Sequence, residues 1–460
     1  MKNSNLDLYK LLRDSYEGMG GYVDGQYLEQ HPRESFEKYE MRKKLAHYLN
    51  YFKPCVDAHV SPIFKNIAIR DWKGQGAKAW ETFVHDVDFR GTELKDLMKQ
   101  AATKSKINGT CFVVMDRDES VGELTLESLE AERQNIPYAF IVDPVRVLEI
   151  KVDKFGRLIK FVYVEPDSYD EERMAERTLL PDGWILKDSK GERRGAWNLG
   201  MVPVIPVPSK NDNETFNPLP PSEFISIAKT NKVIYNMCSW LTDILVNQTF
   251  SILVYPSTSE DALEIGTSNA LGFPAEAGHE PKFIAPSADP ANILQSAINS
   301  LQNECYRMAA VVNITGVRSE QSGVAKAWDF ESTNRALSDF ADILENAEKQ
   351  LADLFQRFVN VELEYTVNYP NDFSISDIQT ELANAEIAKG LDFGDKFNLQ
   401  VFKRVLTSYL PELSDDDFDM LVKEYEQKLE NDALDYEQAA QEDQGENLDN
   451  EPDREDDKEQ

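Results

Sequence analysis

Residues 222–250 read SEFISIAKTNKVIYNMCSWLTDILVNQTF, and residues 291–309 read ANILQSAINSLQNECYRMA. In the first stretch Ile234, Met237, Trp240, Leu241 and Ile244 recur at three- and four-residue steps, and in the second Leu294, Ala297, Leu301, Cys305 and Met308 do the same. That spacing puts each set on one face of an α-helix. The segment between them, 251–290, holds a strand-like run at Ile252–Tyr255 and is broken at Pro256, Gly266, Gly272, Pro274 and Pro281. It is too short and too interrupted for a large core of its own, so the pattern predicts two helices bracketing a small excursion.

Upstream the signal alternates between helix and strand. Ser35 is placed to cap a helix in which Phe36, Tyr39, Leu45, Tyr48 and Phe52 fall near one face, with Pro54 ending or bending it. A second helix is predicted over Glu93–Lys106, with Leu94, Leu97 and Met98 as its apolar side. From Gly109 to Leu199 short runs rich in β-branched and aromatic residues follow: Cys111–Met115, Tyr138–Val142, Val145–Val152 and Arg157–Val164. The last two flank the turn Asp153-Lys154-Phe155-Gly156, which predicts an antiparallel meander with helices on one side. The prolines of 201–208 and 217–221 then hold an extended path into the first of the two bracketing helices.

Downstream, Leu337, Phe340, Leu344, Ala347, Leu351, Leu354 and Phe358 alternate by threes and fours over three heptads. This predicts a long helix that either forms a coiled-coil seam or faces a core. A strand is expected at Val361–Val367 and two or three shorter helices between Ile375 and Gln438. The whole is an α+β chain.

The 82 acidic and 49 basic residues give a formal charge of −33. Residues 431–460 hold 13 acids and 2 bases, so −11 lies there and −22 in residues 1–430. Such a chain cannot bind nucleic acid tightly by neutralising phosphates, and it suits a surface along which DNA slides. The segment 439–460 has too few apolar residues to offset the entropy of ordering and is expected to be disordered, a solubilising tail at the least. No run approaches the ~20 apolar residues of a membrane span, and the first residues lack the order of a secretory signal.

The sequence offers no catalytic apparatus. Gly74-Gln75-Gly76-Ala77-Lys78 lacks the Gly-Lys-Ser/Thr ending of a phosphate-binding loop. The five histidines, His31, His47, His59, His85 and His279, form no metal-ligand pair, and His47 and His59 read as surface or packed imidazoles. Cys55, Cys111, Cys238 and Cys305 are far apart in apolar surroundings and read as small buried hydrophobes. Ser414 with Asp415, Asp416 and Asp417 reads as a capped helix start rather than a metal site. The tryptophans at 80, 184, 197 and 240 read as core.

In its order of parts the sequence resembles the portal proteins of tailed bacteriophages. The local likenesses are His31-Pro32-Arg33-Glu34 before a helix; Ile136-Pro137-Tyr138 leading to Pro144 through Ile150 and the Gly156 hairpin; Pro203 through Pro206; and Pro220-Pro221. The most specific is Gln321-Ser322-Gly323-Val324-Ala325 followed by Asn334, Leu337 and Leu344-Glu345-Asn346-Ala347-Glu348. The likeness runs over roughly residues 20–430 and fades at 251–290 and in the tail.

The resemblance implies a wing of helices and antiparallel β meander (1–221), a first stem helix (222–250), a small α/β clip (251–290), a second stem helix (291–309) and a tunnel loop (310–322). A long wing helix with a strand (323–370), a helical crown (371–438) and the acidic tail (439–460) complete it. It implies a homo-oligomeric ring, usually twelve-fold, at one capsid vertex of the virion, assembled in the host cytoplasm, with no catalytic residue, cofactor, metal or membrane partner. Its partners would be the terminase large subunit, the major capsid protein or scaffold, a head-completion adaptor and non-specifically held double-stranded DNA. Stem packing would fall to Ile244 and Leu301, clip docking to Glu264, His279 and Lys282, and the DNA-facing positions to Arg318, Ser319, Glu320, Gln321 and Lys326. A non-portal structural adaptor or scaffold-type phage protein is the alternative, and an enzyme whose site is dispersed in sequence is a third class.

Overall fold

The computed structural model describes residues 5–65, 68–117, 133–170, 172–211, 217–248, 252–257, 270–274, 282–284, 288–309, 323–371, 373, 378–390, 394–410, 413 and 417–429. The chain divides into two compact units, Met1–Ile63 with Ile69–Phe373, and Phe64–Ala68 with Ser374–Gln460. The class is α+β, as the pattern of periods required. Among the described residues no helix is long and apolar enough to cross a membrane.

The first unit opens with α1 (Leu6–Glu17), which stops where Gly18 turns left-handed and its amide bonds the Asp14 carbonyl. Ser35 caps α2 (Phe36–Leu45), its hydroxyl accepting from the Lys38 amide. The single helix expected from Phe36 to Pro54 is instead two. The chain runs extended after Leu45, and α3 (Phe52–Ala58) starts anew with Pro54 in its first turn, where a missing N–H costs nothing. The break is imposed from a distance: the Asn231 side-chain oxygen accepts from the Tyr51 and Phe52 amides while its nitrogen donates to the Leu49 carbonyl. Phe36 and Leu45 are consequently exposed rather than on a shared core face.

Strand β1 (Ile69–Lys73) precedes α4 (Ala77–His85) and α5 (Leu94–Asn108), whose Leu94, Leu97 and Met98 are buried. Strand β2 (Thr110–Asp116) is buried on both faces and is the centre of a three-stranded antiparallel sheet between β3 (Tyr138–Val142) and β9 (Val204–Pro208). The proline-rich run thus becomes an edge strand, with Ile205 opposite Val113, a place where missing amides are tolerated. The expected meander is a five-stranded antiparallel sheet in simple order: β4 (Val147–Val152), β5 (Leu158–Pro166), β6 (Met174–Leu180), β7 (Gly183–Asp188) and β8 (Gly191–Ala196). Its inner face, with Ile150, Phe161, Tyr163, Leu179 and Trp184, shares one core with Phe112, Val114, Val142 and Val204 of the smaller sheet. Trp184 lies so close over Gly195 that a Cβ there would sit 2.4 Å from the indole.

After two helices described below comes the longest element, a 37-residue helix over Gly323–Val359. Leu337, Phe340, Leu344, Ala347, Leu351, Leu354 and Phe358 are all buried within this one chain, so the heptad stripe faces a core and is not a free coiled-coil seam. Asn360 is left-handed (φ 52°) and ends it. Strand β13 (Glu364–Asn368) therefore begins three residues later than expected and pairs antiparallel with β1. The fully buried Glu348 of the long helix accepts from the Arg70 guanidinium (2.7 Å to Nε) and from the hydroxyls of Tyr365 and Tyr369. This tie fixes the β1/β13 ribbon on the helix.

The second unit contains helices at Ile378–Gly390, Asp395–Tyr409 and 417–429. Phe402 stacks on Tyr425 with ring centres 4.1 Å apart, and Leu406 and Val422 are buried. Leu382, Ile387, Phe397, Tyr409, Leu410 and Met420 are exposed. The Asp415–Asp416 part of the acidic run, and the tail, lie outside the described residues.

Glu348→Ala should leave Arg70 as an unpaired buried charge and cost about 3–5 kcal/mol. Denaturant titration against wild type measures this; a loss below about 1 kcal/mol would show the tie to be dispensable.

Candidate functional site

The two bracketing helices are α6 (Ile225–Gln248) and α7 (Asp289–Met308), and they pack on each other. Both enter the first unit at one junction. Gly109 ends α5 with φ +89°, and a Cβ there would lie 2.4–2.6 Å from the Pro220 carbonyl oxygen, Pro221 and the Ser222 nitrogen. Glycine alone lets the chain leading to α6 cross so close. Ser222 then donates to the Lys106 carbonyl and accepts from the Phe224 amide, satisfying groups at the ends of two helices at once.

Buried polar groups fill the same place. The Lys106 ammonium, 3% exposed, is 2.7 Å from Glu223 and 3.1 Å from the Ser209 carbonyl, and lies over the Phe340 ring. Burial pulls Lys106 below its ordinary pKa against the opposing pull of Glu223. His59, at the end of α3, sits with Nε2 2.7 Å from the Ala309 carbonyl, the residue after α7, and its ring meets that of Phe224, the residue before α6, edge-on. The start of α6 and the end of α7 therefore meet on one imidazole, and the packed helices run antiparallel away from it.

Near the junction α6 carries a stripe of buried polar side chains. Besides Asn231, the Tyr235 hydroxyl donates to the Tyr22 carbonyl, Asn236 bonds the Glu29 amide and the Tyr27 carbonyl, and Ser239 accepts from Arg42. Arg42 is itself buried and held by both Glu34 oxygens at 2.8 Å. Through this pair the His31-Pro32-Arg33-Glu34 stretch acts as an anchor, with Glu34 also accepting from the His31 amide.

Away from the junction burial falls along both helices. Ile234, Cys238, Ile298 and Cys305 lie in one core cluster, with Met237, Leu241, Leu301 and Met308 packed at its margin. Leu245 (52% exposed) and Val246 (45%) on α6, and Ile293 (68%) on α7, face outward. Between the helices lie β10 (Ile252–Ser257), β11 (Ala270–Pro274), parallel to it, and β12 (Lys282–Ile284), antiparallel to it.

Of the sequence-predicted positions, Ile244 is half-buried on α6 and Leu301 half-buried against the core cluster. Lys282 is the first residue of β12, opposite Val254, and Lys326 is in the first turn of the long helix. Glu264, His279, Arg318, Ser319, Glu320 and Gln321 lie outside the described residues. His59 is packed, Trp80 and Trp184 are buried, and Trp197 and Trp240 are half-buried. The four cysteines are free and buried, and burial pushes the Cys55 thiol up to about 12 and Cys305 to about 11. Lys106 and Asn231 gave no signal in the sequence, because their partners are distant along the chain, and neither did the contact of Arg42 with Ser239.

A cleft of about 550 Å³ beside α1 and α5 is lined by Tyr9, Tyr16, Lys99, Asn108 and the Lys104–Asp143 ion pair. Its acids and bases are mixed. Among the described residues no three His, Cys, Asp or Glu side chains group as a metal site.

No family model and no curated protein matches the chain. Among solved structures it aligns with a chain from the neck of an empty gene transfer agent particle of C6 symmetry, covering 91% of this chain and 93% of that one at 9% identity and TM-score 0.43. A chain from the virion of the native particle aligns over 91% and 93% at 10% identity and TM-score 0.39. One from the native neck of C12 symmetry aligns over 81% and 89% at 10% identity and TM-score 0.37.

Asn231→Ala should strand the buried Phe52 amide, about 1–3 kcal/mol, and loosen residues 46–51. Limited proteolysis should cut the variant there at least several-fold faster than wild type; equal rates would mean that the stripe does not hold this segment.

Proposed function

We propose that the chain is a portal subunit of a tailed phage or phage-like particle. In this reading a homo-oligomeric ring, twelve-fold when assembled at a capsid vertex, passes double-stranded DNA during packaging and ejection, while a separate terminase does the chemistry. The observation that carries the reading is the antiparallel pair α6/α7. It is locked to the unit by hydrogen bonds at one end, brackets a small sheet, and exposes Leu245, Val246 and Ile293 on its outlying half. A face of this kind is covered in a ring by the next copy, and a head-to-tail contact that closes needs no other partner. The exposed apolar residues of the second unit fit the same arrangement. The order of segments in the sequence and the acidity of the chain support it independently.

In this reading 251–290 docks terminase and later the head-completion adaptor, through Glu264, His279 and Lys282, and the wing meets the capsid shell or scaffold. Arg318, Ser319, Glu320, Gln321 and Lys326 face the DNA, with Arg318 touching phosphates briefly and Glu320 keeping the contact weak.

Each exposed apolar side chain contributes about 1.5–3 kcal/mol when buried, and a ring repeats the contact at every interface. Leu245→Glu with Ile293→Glu should therefore convert rings to monomers while leaving far-ultraviolet circular dichroism unchanged. Native mass spectrometry with negative-stain imaging decides it. Wild-type monomers, or particles without a central hole, would favour a non-portal adaptor or scaffold-type protein. For the DNA path the measurement is genome content per particle: Arg318→Glu should lower it with rings intact, and full heads would remove that residue from the path.

A further inference from the structure

The junction holds an ionisable group whose surroundings oppose its charge. His59 is 6% exposed, and its Nε2 to Ala309 carbonyl contact is the tie described above between α3 and the end of α7. The carbonyl requires Nε2 to donate, which leaves Nδ1 as the bare nitrogen in the neutral ring, and no described residue pairs with it. The charged groups that bear on the ring are Lys106 of α5 and Glu223 ahead of α6. From α7 it meets the Ala309 carbonyl, and ahead of α6 the aromatic ring of Phe224.

We propose that His59 is a proton-sensitive latch, closed when neutral and released on acidification, that joins the end of α3 to the C-terminal end of α7. The geometry gives the direction. A second proton would place a cation in a buried site beside the Lys106 ammonium, whereas in an opened junction the ring is charged in water at no such cost. Burial accordingly holds the imidazole below its ordinary pKa, with Lys106 acting the same way and Glu223 and the Ala309 carbonyl opposing.

The sign follows by linkage. The folded value is depressed, so the open state binds the extra proton more readily, and the latch contributes fully above the ordinary histidine value of about 6.5. It weakens as pH falls below that, by up to about tenfold in the opening equilibrium per pH unit until the folded value is passed. No other described histidine is among the groups that bear on the ring. The inference does not depend on the ring reading, since it concerns contacts within one chain.

The test is amide hydrogen exchange by mass spectrometry on the intact, assembled protein at pH 7.5, 6.5 and 5.5, normalised to the intrinsic rate at each pH. Peptides covering 303–309 should lose protection by several-fold to tenfold between pH 6.5 and 5.5, while those of β2 stay constant. His59→Gln keeps an amide to donate to Ala309 but cannot titrate, and its profile should be flat. Lys106→Met removes the like charge and leaves Glu223 to favour the imidazolium in the closed junction, which raises the folded value toward the open one, so its loss of protection between pH 6.5 and 5.5 should be smaller than in wild type. A flat wild-type profile overturns the proposal, and so does a pH dependence that persists in His59→Gln. Should His59→Gln be unprotected already at pH 7.5, Lys106→Met decides: a loss between pH 6.5 and 5.5 as large as that of wild type overturns it.

Discussion

The close crossing at Gly109 is the constraint on which the arrangement depends. Helix α5 ends there, β2 begins at the next residue, and the segment entering α6 passes within 2.4 Å of where a Cβ would be. Because that segment is so near, Ser222 can reach the Lys106 carbonyl and Glu223 the Lys106 ammonium. The two contacts set where α6 starts, and His59 sets where α7 finishes. The helix pair is thus aimed by three contacts at one point, with its far end free of the core. A side chain at position 109 would move the pair relative to β2, which joins both β-sheets to the rest of the first unit through its buried residues.

What was legible in the sequence was whatever repeats locally. The stripes of α5, α6, α7 and the long helix are periodic because each faces a single core, and the meander is readable because its turns, such as Asp153 through Gly156, carry their own chemistry. The helix expected to run to Pro54 was misread because Asn231, some 180 residues away, captures the backbone at 49–52. Nothing near that segment records it. The late start of β13 reflects one left-handed asparagine. The junction was illegible for the same reason as α2: Lys106 and Glu223, or Arg42 and Ser239, look like surface residues until the chain brings them together. That Leu301 lies on the apolar face of α7 was readable from its period; its position at the margin of the core cluster was not.

The acidity is unevenly placed. Residues 146–197, the meander, hold 11 bases and 11 acids, so the net −33 belongs to the rest of the chain. The buried cations do not relieve it, because Arg42, Arg70, Lys106 and Arg177 each face a carboxylate, from Glu34, Glu348, Glu223 and Asp116. Such pairs remove as much negative charge from the surface as positive. The excess therefore remains in the exposed and tail residues, where salt screens it only partly over about 8–10 Å.

The two halves of α6 use different physics. Near the junction a polar stripe is buried beside its apolar face, and Asn231, Asn236 and Ser239 accept or donate to particular backbone and side-chain groups. Hydrogen bonds of this kind lose their value if the helix slips by a residue, so they select one register and one rotation. Beyond Ser239 the helix turns apolar at Leu245 and Val246, and an apolar contact tolerates small rotations of what covers it. A chain built this way holds the pair rigidly at the end where it meets its own core and leaves an apolar, adaptable face at the other. Directional bonds on the outlying half would require whatever covers it to match to a fraction of an ångström before any contact formed. In the ring proposed above, this order would let the chain fold first and associate afterwards.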